Sequence, residues 1–173
     1  MKYKTLTLTQ PWATLVAVGA KHIETRSWAT SHRGPLAIHA AAGYGKGGMR
    51  GHKALCGEEP FCSVLNAACE RHYAPYSGLK EIVEHPFMPL GAIVATCELV
   101  DVWPIVYDGE YQTEISDGEW SFSNWHTVSD QERAFGDYSP GRFVWLLADV
   151  KPLATPIPVR GALGLWTWDG AIE

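Results

Sequence analysis

With 173 residues, 46% hydrophobic and 19% charged, the chain is long enough for one domain with a real core and too apolar to be disordered. No apolar run approaches the roughly 20 residues that cross a bilayer, and Met1 to Gln10 lacks the apolar core of a signal peptide, so a cytoplasmic protein without membrane partners is expected. The net charge of −5 argues against indiscriminate nucleic-acid binding, yet residues 1–53 hold Lys2, Lys4, Lys21, Arg26, Arg33, Lys46, Arg50 and Lys53 against the single acid Glu24. That asymmetry suggests one face built for an anion, unless the fold mixes the two parts and neutralises it.

Lys4 to Thr9 alternates with period two and reads as a strand. Pro11 opens a helix that residues 12–18 continue and Gly19 ends. His22 to Trp28 alternates again, which predicts a strand with one polar face. A turn at residues 32–35 leads to a strand over Leu36 to Ala41 that carries His39. Residues 43–57 are glycine-rich and basic, a loop with a short helix near Met49 to Leu55, and no phosphate-binding P-loop pattern is present. Helices are predicted over Pro60 to Tyr73 and Gly78 to Glu84, then a strong strand over Leu90 to Val102. The acidic stretch Asp108 to Asn124 reads as a solvent-facing excursion. Ser129 to Ala134 carries a capping-box pattern, Phe143 to Val150 is a strand, and Leu163 to Trp168 is the last one. About six strands in mixed order with short helices predict a single α+β domain over residues 1–173, a small, mostly antiparallel β-barrel with short helices at its periphery.

The four cysteines, Cys56, Cys62, Cys69 and Cys97, form no C-x-x-C pair and read as buried thiols. A zinc site drawn from His52, Cys56, Cys69 and His72 fits no standard spacing, so no metal or other cofactor is expected.

Gly19-Ala20-Lys21-His22-Ile23-Glu24-Thr25-Arg26 has the form G-x-K-x-x-E-x-R. In its setting this resembles the hallmark of the ASCH family of PUA-like domains. The flanks match in order: Gln10-Pro11-Trp12 before the motif, then Trp28, Arg33-Gly34-Pro35 and Ile38-His39-Ala40 after it. Further on come Gly91 to Ala95, Glu98 to Asp101, Gly141 to Trp145 and Arg160 to Trp166. The resemblance implies a PUA-like barrel that binds RNA or a modified nucleotide in a cleft beside the motif. Some members are ribonucleases, for which a divalent metal would be the one cofactor to consider. Another branch hydrolyses an acylated cytidine with a Thr nucleophile at the position of Glu24. The carboxylate here makes that acyl transfer unexpected.

Positions 22, 24, 26 and 28 share one strand face, so Glu24, Arg26 and Trp28 are expected to point together, with Lys21 beside them at a cleft rim. The pocket residues would be Gln10, Trp12, Lys21, Glu24, Arg26, Trp28, Arg33, His39, Tyr138 and Arg142, with Lys21, Glu24 and Ser139 catalytic if the protein is an enzyme. Cations there would meet phosphate, and Trp would stack on a base. Each also has a structural reading. Lys21, Glu24 and Arg26 could form internal ion pairs, Trp12 and Trp28 could be core lids, Arg33 could cap its turn, and His39 could be a satisfied core histidine. Three functions follow: an RNA or nucleotide binder, a ribonuclease, or an adaptor for protein partners.

Overall fold

The computed structural model describes residues 2–72, 88–108, 113–116 and 125–171. Eight strands are present: β1 (Lys2–Leu8), β2 (Ile23–Arg26), β3 (Gly34–Ala40), β4 (Ala92–Asp108), β5 (Thr113–Ser116), β6 (Trp125–Thr127), β7 (Phe143–Pro158) and β8 (Leu165–Asp169). The helices are α1 (Trp12–Ala17), α2 (Gly48–Cys56), α3 (Phe61–His72) and α4 (Asp130–Ala134). The hydrogen-bonded order is β2-β7-β4-β3-β1-β8, with β5 on β4 and β6 on β5. Only β1 and β3 are shown parallel, with Leu6 opposite Ile38, whereas β1–β8, β2–β7, β4–β5 and β5–β6 are antiparallel. The fold is therefore α+β, with the mostly antiparallel strands and short helices of the PUA-like class. Among the described residues no helix is long and apolar enough to cross a membrane.

The chain forms two compact units. One comprises Met1–Ala20, Pro35–Cys97 and Val150–Glu173, and the other Lys21–Gly34 and Glu98–Asp149. In the first, Leu36 to Ala40 are all buried, as a strand covered on both faces should be, and Ala37, Ile93 and Trp168 pack with Tyr3, Leu153, Ile157 and Trp166. In the second, Ile105, Val128, Tyr138 and Val144 pack with Ile23, Trp103 and Leu146.

Three expectations change. β7 runs on to Pro158 instead of stopping at Val150. Its later half holds Pro152, Pro156 and Pro158, residues that signal strand ends. Within β7 Asp149 adopts a φ of 50°, one that Asp tolerates better than most residues. β4 continues past Val102 to Asp108, and within the stretch Asp108 to Asn124, expected as an excursion, β5 pairs with β4 and with β6, while residues 109–112 and 117–124 lie outside the described residues. Pro11 occupies the N-cap position of α1, and the helix begins at Trp12. The helix expected over Gly78 to Glu84 lies outside the described residues.

Candidate ligand-binding site

The motif residues meet in the second unit. β2 pairs antiparallel with β7, which sets Glu24 opposite Trp145. Glu24 is bridged on both sides: Oε2 lies 3.5 Å from Lys21 Nζ, and Oε1 lies 3.2 Å from Arg26 Nε. The shared face expected for Glu24 and Arg26 matches this geometry.

Lys21 does not lie on a rim. Its side chain is 0% exposed. The ammonium donates to the carbonyls of Ile23 and of Phe135, the latter at 3.0 Å, and faces Glu24. Its three N–H donors therefore have three protein partners, as a dry ammonium must to offset its lost hydration. A phosphate contact through Lys21 would have to displace one of them. The position directly before β2, which suggested a rim, is covered by the segment that follows α4.

Glu132 completes the cluster. Ser129 caps α4 by accepting from the Glu132 amide at 3.2 Å, the first half of a capping box. The Glu132 carboxylate does not return to the cap. It accepts from the His22 amide instead, and so ties α4 to the start of β2. Burial raises the Glu132 pKa, against the lowering effect of the His22 amide and of the Lys21 charge. The Ser129-x-x-Glu132 spacing was visible in the sequence, but it pointed to a cap rather than to a partner for the motif.

Tyr138 is buried in the same unit, and burial raises its pKa, as do the charges of Glu132 and Glu24. Among the described residues its hydroxyl and Glu132 Oε2 have no hydrogen-bond partner. Gly136 brings the chain close to this ring, since a Cβ there would lie 2.7 Å from Tyr138 Cε2. Thr25, on the opposite face of β2 from Glu24, accepts from the Asp137 amide at 3.0 Å and holds the same loop.

Ser139 and Arg142 gather around Asp137 rather than Lys21. The Ser139 hydroxyl and amide donate to Asp137 Oδ1, and Arg142 Nη1 lies 3.3 Å from Oδ2. These bonds, the Ser139 hydroxyl first, hold the Asp137 carboxyl below its usual range. Arg33 pairs with Asp101 at 2.7 Å and donates to the carbonyls of Thr30 and His32, which fits its turn-capping role. Trp28 meets Trp145 edge-on at 4.7 Å, and Trp145 Nε1 donates to the Trp28 carbonyl. Trp145 is fully buried, whereas Trp28 keeps a half-exposed ring.

The remaining candidates belong to the first unit. Gln10 is buried and uses both ends of its amide: Oε1 accepts from the Thr14 amide at 3.1 Å, and Nε2 donates to the Pro89 carbonyl at 2.9 Å. Half-exposed Trp12 packs edge-on against Phe61. His39 is buried, and its Nε2–H donates to the Val159 carbonyl at 3.0 Å, which leaves Nδ1 unprotonated. Trp166 packs edge-on against the His39 ring and donates through Nε1 to Thr7. His39 thus reads as a packed histidine that holds the chain after β7.

Lys21, Glu24 and Arg26 of the G-x-K-x-x-E-x-R motif therefore form one interlocked cluster, and the ASCH domain family model matches residues 6–152 of the chain. The chain belongs to the ASCH domain family. A comparison with curated proteins gives no match. In this ASCH domain the charged motif side chains are engaged with one another and with the fold. Lys21 and Arg26 balance Glu24 and Glu132, and no group of three or more metal-ligating side chains occurs among the described residues. His52 and Cys56 face each other within α2, and burial pushes the Cys56 thiol up to about 12.

Proposed function

We propose that this ASCH domain binds RNA or a modified nucleotide beside its motif, with Arg26 and Trp28 as the contacts and Lys21, Glu24 and Glu132 as the frame. General RNA binding follows from the PUA-like ASCH family to which the chain belongs. The observation that carries the finer reading is the position of Arg26. Its side chain is 25% exposed beside the nearly buried Glu24, which brings a guanidinium, the group suited to planar recognition of a phosphate or a base edge, to the surface of the motif cluster. Partly exposed Trp28 follows two residues later, just past the end of β2, and supports a stacking role. Titration of labelled single-stranded RNA tests this. Arg26→Ala should weaken binding about tenfold or more, the loss of one charge-assisted contact worth roughly 1.5–3 kcal/mol. Unchanged affinity in a folded Arg26→Ala variant overturns the assignment.

One observation favours a second reading, an enzyme acting on RNA. A carboxyl with a raised pKa stands beside a buried lysine, a pairing suited to proton transfer. Ser139 contributes little to it, because its hydroxyl is held by Asp137. Incubation with single-stranded RNA, with and without a divalent metal, separates the two readings: a reader retains the strand and an enzyme shortens it. With Glu24 in place of a Thr nucleophile, no release of cytidine from an acylated cytidine is expected.

A further inference from the structure

Residues 43–57 contribute Lys46, Arg50 and Lys53 and no acid before Glu58. They lie in the first unit, apart in sequence from the motif. Gly45, Gly47 and Gly48 adopt φ of 73°, 86° and 56° on the way into α2, a course closed to most side chains. At Gly45 a Cβ would also lie 3.1 Å from Thr9 Cγ2. The loop is thus built, with Gly48 N–H donating to the Gly45 carbonyl at 3.1 Å and Gly51 N–H to that of Gly47 at 3.0 Å.

α2 is held from within by His52 and Cys56, both buried and four residues apart on one face. The Tyr44 ring stacks on His52 with centroids 4.6 Å apart and planes at 27°. Arg50 lies two residues before His52, which places it on the opposite side of the helix, and it is exposed, as is Lys46. Lys53 is half-buried between the two faces. Neither Lys46 nor Arg50 forms an ion pair with a described residue, whereas Arg26, Arg33 and Arg142 each face a carboxylate. The positive charge that the motif cluster cancels internally is thus presented outward here.

We propose that the Tyr44–Lys53 segment is the electrostatic anchor for the RNA strand, holding its phosphates through Lys46, Arg50 and Lys53, with the Tyr44 ring as a stacking surface beside them. This rests on the RNA-binding reading above and assigns the salt-sensitive share of affinity to a different surface from Arg26. Two exposed cations that meet no carboxylate among the described residues, with Lys53 next along the helix, suit a polyanion better than a single carboxylate. Glycines at the start of α2 keep the surface low, so that a sugar–phosphate backbone can approach closely. An adjacent aromatic ring suits a nucleic acid better than a lipid headgroup.

The test is fluorescence anisotropy of a mixed-sequence single-stranded RNA over a salt series with the full chain. Three proteins are compared: wild type, the triple variant Lys46→Ala/Arg50→Ala/Lys53→Ala, and a charge-matched control, Lys2→Ala/Lys4→Ala/Lys151→Ala. Each neutralised phosphate contributes a log–log slope of about −0.7. The α2 triple variant should therefore flatten the slope by about 2 and weaken low-salt binding at least tenfold, and the control should do neither. Arg26→Ala should lower affinity with a smaller change in slope. Equal losses in both triple variants, or an unchanged slope in the α2 variant, overturn the anchor while leaving RNA binding in place. A wild-type protein that binds no RNA at low salt overturns both readings, and so does patch-dependent binding to phosphatidylserine vesicles without RNA binding.

Discussion

Residues 21–33 and residues 46–53 are both rich in cations, and they place the same side chains in opposite surroundings. Lys21, Arg26 and Arg33 each meet a carboxylate: Glu24 serves the first two and Asp101 the third. Lys46 and Arg50 are exposed and meet none among the described residues. A buried cation has surrendered its hydration and must be repaid by fixed partners, so its charge is committed to the fold. An exposed, unpaired cation keeps its charge for a ligand. Charge counted along a sequence cannot distinguish these cases, although they have opposite consequences for stability and binding.

The largest effect should come from Lys21→Ala. It strips one of the two ion-pair partners from Glu24 and the donor from the Ile23 and Phe135 carbonyls, in a site where Lys21 is fully buried. Removing one partner of a buried pair costs about 3–5 kcal/mol. Urea unfolding should show that loss, and a cost under about 1 kcal/mol would mean that the motif is wet and the contrast with α2 is false.

Next comes Gly161→Ala, in the first unit. The added Cβ would lie 2.7 Å from His39 Nδ1 and 3.1 Å from Thr7 Oγ1. Overpacking of this kind costs about 1–3 kcal/mol. Most of the loss should disappear in a His39→Ala background, because the clash partner is then gone. A purely additive double variant would show that His39 does not bear on Gly161.

Protonation should reveal smaller differences. Burial lowers the His39 pKa from 6.5, with partial opposition from its bond to the Val159 carbonyl. The unfolded chain then binds the proton first, so stability falls as pH drops from 6.5 towards the folded value. Glu132 behaves in the reverse sense. Its folded pKa is raised above 4.5, the native state keeps the proton longer, and stability falls as pH rises from 4.5 to the folded value. One proton bounds each slope at about 1.4 kcal/mol per pH unit. Stability against pH in His39→Gln should lose the first slope, and in Glu132→Gln the second. Slopes that survive these substitutions belong to other groups.

Much of this was legible in the sequence. Period-two alternation located β1 and β2, Ser129 marked the start of α4, and the spacing of Glu24 and Arg26 predicted a shared face that the 3.2 Å contact matches. Burial was not legible. Lys21 precedes a strand with a polar face, and only the passage of Phe135 over it, more than a hundred residues later, makes the site dry. The role of Glu132 was hidden for the same reason, since its local pattern describes a helix cap and its partner, His22, is distant in the chain. That both ends of the Gln10 amide are engaged within the fold was likewise not visible in the sequence. The end of β7 was misjudged because prolines normally end a ladder, and here they do not.

The smallest predicted effect bears most directly on the comparison. Arg50 occupies the first turn of α2, where no acidic residue is present and no side chain caps the helix. A cation in that turn faces the positive end of the helix dipole, an interaction unfavourable by about 0.3–1 kcal/mol at low ionic strength. Alanine removes that repulsion and is also the better helix former. The Arg50 guanidinium forms no ion pair with a described residue, so no such contact is lost on substitution. Arg50→Ala should therefore leave stability unchanged or raise it by up to about 0.5 kcal/mol in low salt, and the gain should fade as salt screens the dipole. Thermal unfolding at two ionic strengths resolves a shift of that size. A gain would mean that the fold carries Arg50 at a small cost, which is what a residue held for a ligand should show. A loss beyond about 1 kcal/mol would place Arg50 beside Lys21 as a structural cation and erase the distinction between the two regions.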